Sequence, residues 1–224
     1  MLSYCAPSKY RLIGAAVTLV LAVTFPWIAI AQSSSSPFPG LELVNSKNVD
    51  VLYRRPDIDF SAYGKILLGQ PVIEFNKNWN PRNYGTYGLS ASQLKKIRVD
   101  LAALTKSTFS KVLADGGYEI VTQAGDGVLE ITPSIVNLYI NAPDTMSAGR
   151  SKVYTMDAGS MTLALRVSDS VTGTLLVVAY DQKRDSSSGR LQWTTSASNR
   201  AAASRILTGW AEQLKRDLDA VRVK

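Results

Sequence analysis

The sequence predicts a single α+β domain, a two-layer sandwich in which two long amphipathic helices cover one face of a mostly antiparallel sheet of about four to five strands. Two observations support this fold class. Apolar residues recur at helical spacing in one segment after residue 90 and in another at the C-terminal end. Residues 159–170 instead alternate between apolar and polar side chains, which is typical of a half-buried strand. The predicted element order is β-α-β-β-β-α.

The two helices have recognisable boundaries. The first is predicted to begin at Ser90, because Ser90 and Gln93 have the spacing of a capping box, and to end at the glycine pair 116–117. Its predicted apolar face comprises Leu94, Ile97, Leu101, Leu104 and Val112. The second helix is predicted to be capped at Ser198 or Asn199, with an apolar face made of Ala203, Ile206, Trp210, Leu214, Leu218 and Val221.

The strands are predicted from short apolar runs bounded by turn residues. A short edge strand at 49–55 ends at Pro56, which cannot donate to a ladder. Residues 65–75 form an apolar strand in which Gly69 and Pro71 indicate a bulge. Further strands are expected at 118–122, at 128–141 with a break at Pro133, at 159–170 and at 174–180. The last three are expected to be antiparallel because their connections are short.

Residues 1–31 have the layout of a bacterial secretory signal peptide. Lys9 and Arg11 precede an uncharged apolar run at 12–30, and small residues lead to a cleavage site at Ala31–Gln32. An alternative is that residues 12–30 remain as an inner-membrane anchor, since they are long enough to span the hydrocarbon core. Either way, the domain is expected in the periplasm or outside the cell. Residues 32–47 are predicted to be a Ser/Pro-rich tether, and 48–224 the folded domain.

Composition excludes several kinds of active site. The chain contains no histidine, and its one cysteine, Cys5, lies in the predicted signal peptide. Ser-His-Asp triads, Cys-His dyads and His/Cys zinc sites are therefore excluded, and we expect neither a cofactor nor a metal. The formal net charge of +7 would suit a surface that contacts anionic lipid or lipopolysaccharide, although the basic residues are interspersed with acidic ones. No nucleic-acid-binding module is present, and nucleic acid is not an expected partner.

The loop at 76–89 is the predicted ligand- or partner-binding segment. It interleaves aromatic residues with arginine, lysine and asparagine, and aromatic faces stack on sugars while the polar groups donate hydrogen bonds. The predicted binding residues are Trp79, Arg82, Tyr84 and Tyr87. The alternative is that these aromatic side chains pack over a sheet edge or over the start of the first helix.

Acidic residues suggest two further candidate sites. Asp57 and Asp59, with Asp126, would supply oxygen ligands to Ca²⁺, but no loop with a closing Glu is present, and turn and cap roles are favoured. Glu74 and Glu130 lie on neighbouring predicted strand segments and have the chemistry of a glycosidase pair. Outward-facing strand residues in salt bridges are the alternative.

Several short stretches carry a family resemblance. They are residues 53–56 (YRRP), 59–63 (DFSAY), 66–72, 117–121 (GYEIV), 128–131 (VLEI) and 169–173 (DSVTG), together with Trp210. In these stretches the chain resembles a bacterial family of exported proteins and lipoproteins designated domain of unknown function 3313. The similarity spans roughly residues 48–220. It implies an envelope location and transfers no functional residue, and this chain lacks the lipobox of the lipoprotein members.

The expected function is non-enzymatic binding of a protein or an envelope polymer. Two alternatives stay open: a carboxylate- or Ser/Lys-dependent hydrolase that acts on an envelope glycan or peptide, and a basic module that binds anionic lipid or lipopolysaccharide. A deep pocket that holds acidic residues would favour the hydrolase. A shallow surface with exposed aromatic side chains would favour the binding protein, and basic residues gathered on one face would favour the lipid-binding module.

Overall fold

Two long helices pack on an eight-stranded sheet in the computed structural model, which describes residues 36–80, 82, 88–140, 154–155, 159–184, 192–193 and 196–222. The helices are α1 (Ala91–Asp115) and α2 (Ser196–Arg222), and a 3-10 turn spans Phe60–Ala62. The sheet strands are β1 (Glu42–Val44), β2 (Val51–Arg54), β3 (Lys65–Leu68), β4 (Ile73–Phe75), β5 (Glu119–Val121), β6 (Val128–Ile140), β8 (Gly159–Asp169) and β9 (Leu175–Arg184). The remaining two, β7 (Tyr154–Thr155) and β10 (Gln192–Trp193), pair with each other.

The strand order of the sheet is β1-β2-β9-β8-β6-β3-β5, and β4 pairs with β6 further along the same side as β3. The strands from β1 to β6 in this order are antiparallel, and β3, β4 and β5 are parallel to their neighbours. The α+β class is confirmed, but the prediction of four to five strands is wrong, because the sheet has eight. Most of the strands are antiparallel, as predicted, and β3, β4 and β5 add a parallel part that was not predicted. The parallel part arises because α1 carries the chain from β4 back to the start of β5, as a crossover requires.

The first helix begins as its sequence predicts. The Ser90 hydroxyl accepts the Gln93 N–H, and the Gln93 side chain accepts the Ser90 N–H, so both halves of the capping box are present. Its most buried residues are Leu101, Ala102, Thr105, Phe109 and Leu113. The predicted face is therefore only partly right, because it contained Leu101 but omitted the other four residues, among them a threonine. The fully buried Thr105 hydroxyl donates to the Leu101 carbonyl at 2.8 Å, which satisfies this polar group inside the core.

The predicted strand at 65–75 is divided into β3 and β4 at the glycine and proline that indicated a bulge. A Cβ atom at Gly69 would overlap the Thr132 hydroxyl on β6, so glycine is needed where the end of β3 lies against β6. Pro133 does not break β6, which runs without interruption from Val128 to Ile140. The backbone nitrogen of Pro133 faces the gap between β3 and β4, since its neighbours Ile131 and Ile135 bond Gly69 and Val72 on that side. Its missing N–H therefore costs no ladder bond.

The folded unit begins before the predicted boundary at residue 48. Contacts define Ser36–Lys224 as one compact unit, and β1 lies within the segment predicted to be a tether. Leu41 is buried, the Phe38 and Tyr53 rings meet edge to face at 5.3 Å, and the Arg55 guanidinium donates to the carbonyls of Leu175 and Pro39. These contacts attach the segment from residue 38 to the outer strands of the sheet, so it belongs to the domain.

One hydrophobic core joins the helices to a single face of the sheet. On β8 the side chains of Met161, Leu163, Leu165 and Val167 enter this core, as their alternation predicted. The residues that α2 contributes to the same core are Leu207, Trp210, Ala211, Leu214 and Leu218.

Within the described ranges, no helix is both long enough and apolar enough to cross a membrane. The predicted signal peptide and the alternative anchor at 12–30 lie outside the described residues.

Candidate functional site

A concave surface lies between α1 and the parallel edge of the sheet. It has a volume of about 910 Å³, and we call it the edge groove. Its lining comes from three separate segments of the chain, and consists of Leu67, Leu68, Gln70, Pro71, Ile73, Arg98, Val99, Ala102, Ala103, Lys106, Ser107, Ser110, Ile120, Val121 and Thr122. Most of these side chains are apolar or small, so the groove offers a hydrophobic floor.

The edge groove exists because β5 is much shorter than the strands beside it. The pairing of β5 with β3 ends at Val121, opposite Leu67. Beyond that point β4 continues the line of β3, and among the described residues it pairs with β6 alone. The position next to β4, in line with β5, therefore holds no strand from the described part of the chain. One wall of the edge groove is this strand edge, and the opposite wall is α1.

The backbone of β4 presents hydrogen-bonding groups on this edge. The Val72 carbonyl accepts from the Ile135 N–H, and the Asn76 N–H donates to the Leu138 carbonyl, both at 2.9 Å. Backbone groups of successive strand residues point alternately to the two sides of the strand. The N–H and C=O groups of Ile73 and Phe75 therefore point away from β6, along the edge groove.

The charged side chains that line the edge groove are both basic. Arg98 and Lys106 project from α1, and none of the lining residues is acidic. Val99, on the same face of the helix, leaves 57% of its surface exposed, although it is a large apolar residue. The edge groove thus combines apolar surface with local positive charge, and both properties favour a ligand that is apolar and anionic.

The predicted binding loop begins at one end of the edge groove. The Arg98 guanidinium lies 4.9 Å from the centre of the Phe75 ring, and the Phe75 and Trp79 rings are stacked with their centroids 4.6 Å apart. The indole N–H of Trp79 donates to the Ile140 carbonyl at 3.0 Å. These contacts order the start of the loop against the sheet edge and place Arg98 where the loop and the edge groove meet.

The four predicted binding residues are only partly placed by the structure. Trp79 is buried, and its stacking partner is Phe75, so its ring would have to leave this position to stack on a ligand. Arg82 is exposed. Tyr84 and Tyr87 lie outside the described residues. The binding role of these four residues stays a prediction.

The acidic candidates do not line the edge groove. Glu74, on β4, is exposed, and Glu130, on β6, is half-buried, and neither lines the groove. The Asp59 carboxylate accepts the Ser61 N–H at 2.9 Å and so caps the 3-10 turn. Hydrogen bonds from the Ser61 side chain and from this N–H lower the pKa of Asp59. Within the part of the chain that the structure describes, which includes Asp57 and Asp126, no three potential metal ligands are grouped together.

Two tyrosine–carboxylate pairs stabilise the fold elsewhere. The Tyr63 hydroxyl donates to Asp169 at 3.1 Å, and Asp169 also accepts the Thr172 N–H and hydroxyl in the hairpin turn, which lowers the pKa of its carboxyl. The Tyr118 hydroxyl donates to Asp219 at 2.8 Å, and burial together with this carboxylate raises the pKa of Tyr118. Both tyrosines are therefore protonated donors at neutral pH.

Sequence reasoning missed the α1 side of the edge groove. Analysis of the helix sought its apolar stripe, and Val99 lies outside that stripe. An exposed valine flanked at helical spacing by a basic residue, Lys106, and by small residues was the available signal. The exposed valine indicates a groove only because no described strand lies beside β4, and no local sequence pattern reveals that gap.

Comparison with known families gives one assignment. The family model described as protein of unknown function (DUF3313) matches residues 35–214. The chain belongs to this family. The resemblance predicted from the sequence is thereby confirmed, and a search of curated proteins finds no match.

Solved structures with partial similarity come from several bacteria. A DUF330 protein from Xanthomonas campestris is 13% identical, with 72% of this chain and 86% of that chain covered and a TM-score of 0.40. A homologue of neuraminyllactose-binding hemagglutinin from Helicobacter pylori is 15% identical, with 70% and 84% covered and a TM-score of 0.38. The PelC dodecamer from Paraburkholderia phytofirmans is 9% identical, with 70% and 93% covered and a TM-score of 0.33. No functional conclusion follows from likenesses this partial.

Proposed function

We propose that the protein is an exported, non-enzymatic binding module of the cell envelope, which holds a protein or envelope-polymer partner in the edge groove. The observation that carries this proposal is the edge groove itself, a concave apolar surface of about 910 Å³ with two basic side chains. Binding sites for partners are typically concave and apolar, with a few polar groups that fix orientation.

The residues around the edge groove favour binding over hydrolysis. A glycosidase needs two carboxyl groups that face each other across its substrate. Among the described residues no carboxylate lines the edge groove, and the polar side chains that do are hydroxyls, one amide and the two basic groups. Serine activation requires an adjacent base, and Lys106 is exposed rather than desolvated.

The proposal is tested by introducing a carboxylate into the edge groove. Val99→Glu adds a charge to the apolar floor and opposes the basic side chains. Val171→Glu is the matched control, because Val171 is equally exposed, at 59% against 57% for Val99, and lies in the hairpin turn between β8 and β9. In a crosslinking pulldown from the protein's own cell envelope, we expect the unmodified chain and Val171→Glu to recover the same partner and Val99→Glu to lose it.

Two results would count against this function. Equal recovery by both variants would show that the partner binds outside the edge groove, and recovery of no partner by the unmodified chain would contradict a binding function.

A third variant, with Arg82, Tyr84 and Tyr87 changed to Ala, tests the contribution of the loop. We expect weaker recovery from this variant, because the loop begins beside Arg98 at the end of the edge groove.

A further inference from the structure

We propose that the partner enters the edge groove as an extended acidic peptide segment that adds a strand to β4. This inference rests on the proposed binding function and adds the chemistry of the partner and its mode of binding. The structural feature behind it is the position beside β4, which is in line with β5 and holds no strand from the described part of the chain.

The backbone of β4 can pair with an added strand. An exposed strand edge pairs with an incoming extended peptide through main-chain hydrogen bonds. On β4 the groups available for such pairing belong to Ile73 and Phe75, since the intervening Glu74 shares the β6-facing orientation of Val72 and Asn76. A peptide placed here would lengthen the line that β5 begins and would be hydrogen-bonded on one side.

The apolar floor of the edge groove favours an apolar residue at the centre of the peptide. Alternate residues of an added strand point to the same face of the sheet. On the helix side, the central one of these residues would enter the edge groove and contact Val99, Ala102 and Ala103. Small alanine side chains on α1 leave room for a branched apolar residue of the peptide. Branched apolar residues also favour the extended conformation that pairing requires.

Basic side chains on α1 favour acidic residues in the peptide. Arg98 and Lys106 are two turns apart on α1 and face the position of the added strand, and none of the described lining residues is acidic. Carboxylates on the helix-facing side of the peptide, one on each side of its central apolar residue, would meet these two cations, with the planar guanidinium of Arg98 already held over the Phe75 ring. A peptide with basic residues would be repelled at the same places.

The experiment measures amide hydrogen exchange, residue by residue, in the protein isolated from its own cells. The probe is a synthetic peptide of roughly seven residues, Thr-Glu-Thr-Val-Thr-Glu-Thr, a length matched to the open edge, in which the two glutamates and the valine between them share the face toward α1. We expect it to slow exchange of the Ile73 and Phe75 amides roughly tenfold and to leave the Glu74 amide unchanged, because Glu74 already faces β6. We expect Val99→Glu to abolish this protection and Val171→Glu to retain it.

Two control peptides separate the parts of the argument. One replaces the acidic residues with lysine, and the other keeps the acidic sequence but carries N-methylated backbone amides. Neither is expected to protect Ile73 or Phe75. If the N-methylated peptide bound as tightly as the parent, or if the parent bound without protecting these two amides, strand addition would be overturned. Binding of the lysine peptide would overturn the charge argument.

Other occupants would give different results, and each would overturn the proposal. Protection of the two amides in the protein alone, rising with its concentration, would indicate a second copy of the chain. Protection by phosphatidylglycerol vesicles would indicate a lipid. The binding function has its own test in the pulldown with Val99→Glu, so a groove that recovers an envelope partner without strand addition would leave that function standing.

Discussion

Asp181 is a buried carboxylate that ties the helical layer to the sheet. It lies on the helix-facing side of β9 with 2% of its surface exposed. The Trp210 indole donates to its Oδ2 atom at 2.7 Å, and the Lys183 ammonium lies 2.9 Å from the same atom. A buried carboxylate needs hydrogen-bond donors or a cation beside it, because it has lost its hydration. The pair therefore fixes the rotation of α2 above the sheet as well as contributing to stability.

The Trp210–Asp181 hydrogen bond should be worth about 1.5–3 kcal/mol, as expected for a hydrogen bond to a charged group. Trp210→Phe keeps most of the apolar volume and removes the donor. Asp181→Leu removes the acceptor. A double-mutant cycle measured by urea unfolding should give a coupling free energy in that range. Additive effects of the two substitutions would show that the hydrogen bond contributes nothing measurable.

The pH dependence of stability should include a contribution from Asp219. Hydrogen bonds from Lys215, at 2.7 Å, and from Tyr118 hold the pKa of this carboxyl below its usual value of 3.8. A lowered pKa in the folded state stabilises the protein fully above the pKa of the unfolded chain, and this stabilisation is lost as the pH falls through the lower, folded value.

Asp219→Asn should therefore be less stable than the unmodified chain at pH 7, by at most about 1 kcal/mol because the pair is partly exposed and screened. The difference should shrink as the pH falls below 3.8. Tyr118→Phe, which removes one of the donors, should show a smaller difference with the same trend. Urea unfolding between pH 7 and pH 2 checks this, and a difference that stays constant over that range would contradict the assignment.

At the scale of elements, the reliable predictions came from patterns that lie within one segment. The capping box at Ser90 and the alternation along β8 were sufficient to place α1 and that strand. Elements that depend on a distant partner were predicted less well. Pro133 suggested a break in β6, but the effect of its missing N–H depended on the gap between β3 and β4. The omission of Thr105 has a different, local cause, since its polar side chain is buried only because its hydroxyl donates to the Leu101 carbonyl of the same helix.

The strand β1 was missed because it is short and lies within the segment predicted to be a tether. Its contribution can be measured with two leucines of the same segment. Leu41 is 3% exposed and Leu43 is 63% exposed. We expect Leu41→Ala to lower the free energy of unfolding by about 2–4 kcal/mol and Leu43→Ala to change it by less than about 0.5 kcal/mol. Equal, small effects would mean that this segment is not part of the folded unit.

At the scale of the whole molecule, the edge groove could not be predicted, because its lining comes from β3 and β4, from α1 and from β5. These segments are brought together by the parallel crossover, and the sequence-based prediction had a mostly antiparallel sheet. The loop at 76–89 was found from its composition, yet its ordered start serves the fold through the Trp79–Phe75 stack. Sequence patterns thus located the neighbourhood of the edge groove but not the missing strand that creates it.

The net charge of the molecule is +7, so an acidic ligand should be attracted to many parts of its surface. Two double variants of α1 separate this general attraction from the field of the edge groove. Arg98→Gln with Lys106→Gln removes the two groove cations. Lys96→Gln with Lys111→Gln removes the same charge from lysines that pair with Asp100 and Asp115 and do not line the edge groove.

We expect the groove pair to lower the association rate constant of the acidic peptide about three- to tenfold, and the control pair to lower it less than about twofold. The reason is distance. Exposed charges more than about 8 Å from the ligand are largely screened at physiological ionic strength, whereas Arg98 and Lys106 line the path of the peptide. Stopped-flow measurements over a series of NaCl concentrations check both the rates and their salt dependence. Equal rate constants for the two variants would show that the peptide responds to net charge and that the edge groove has no electrostatic preference of its own.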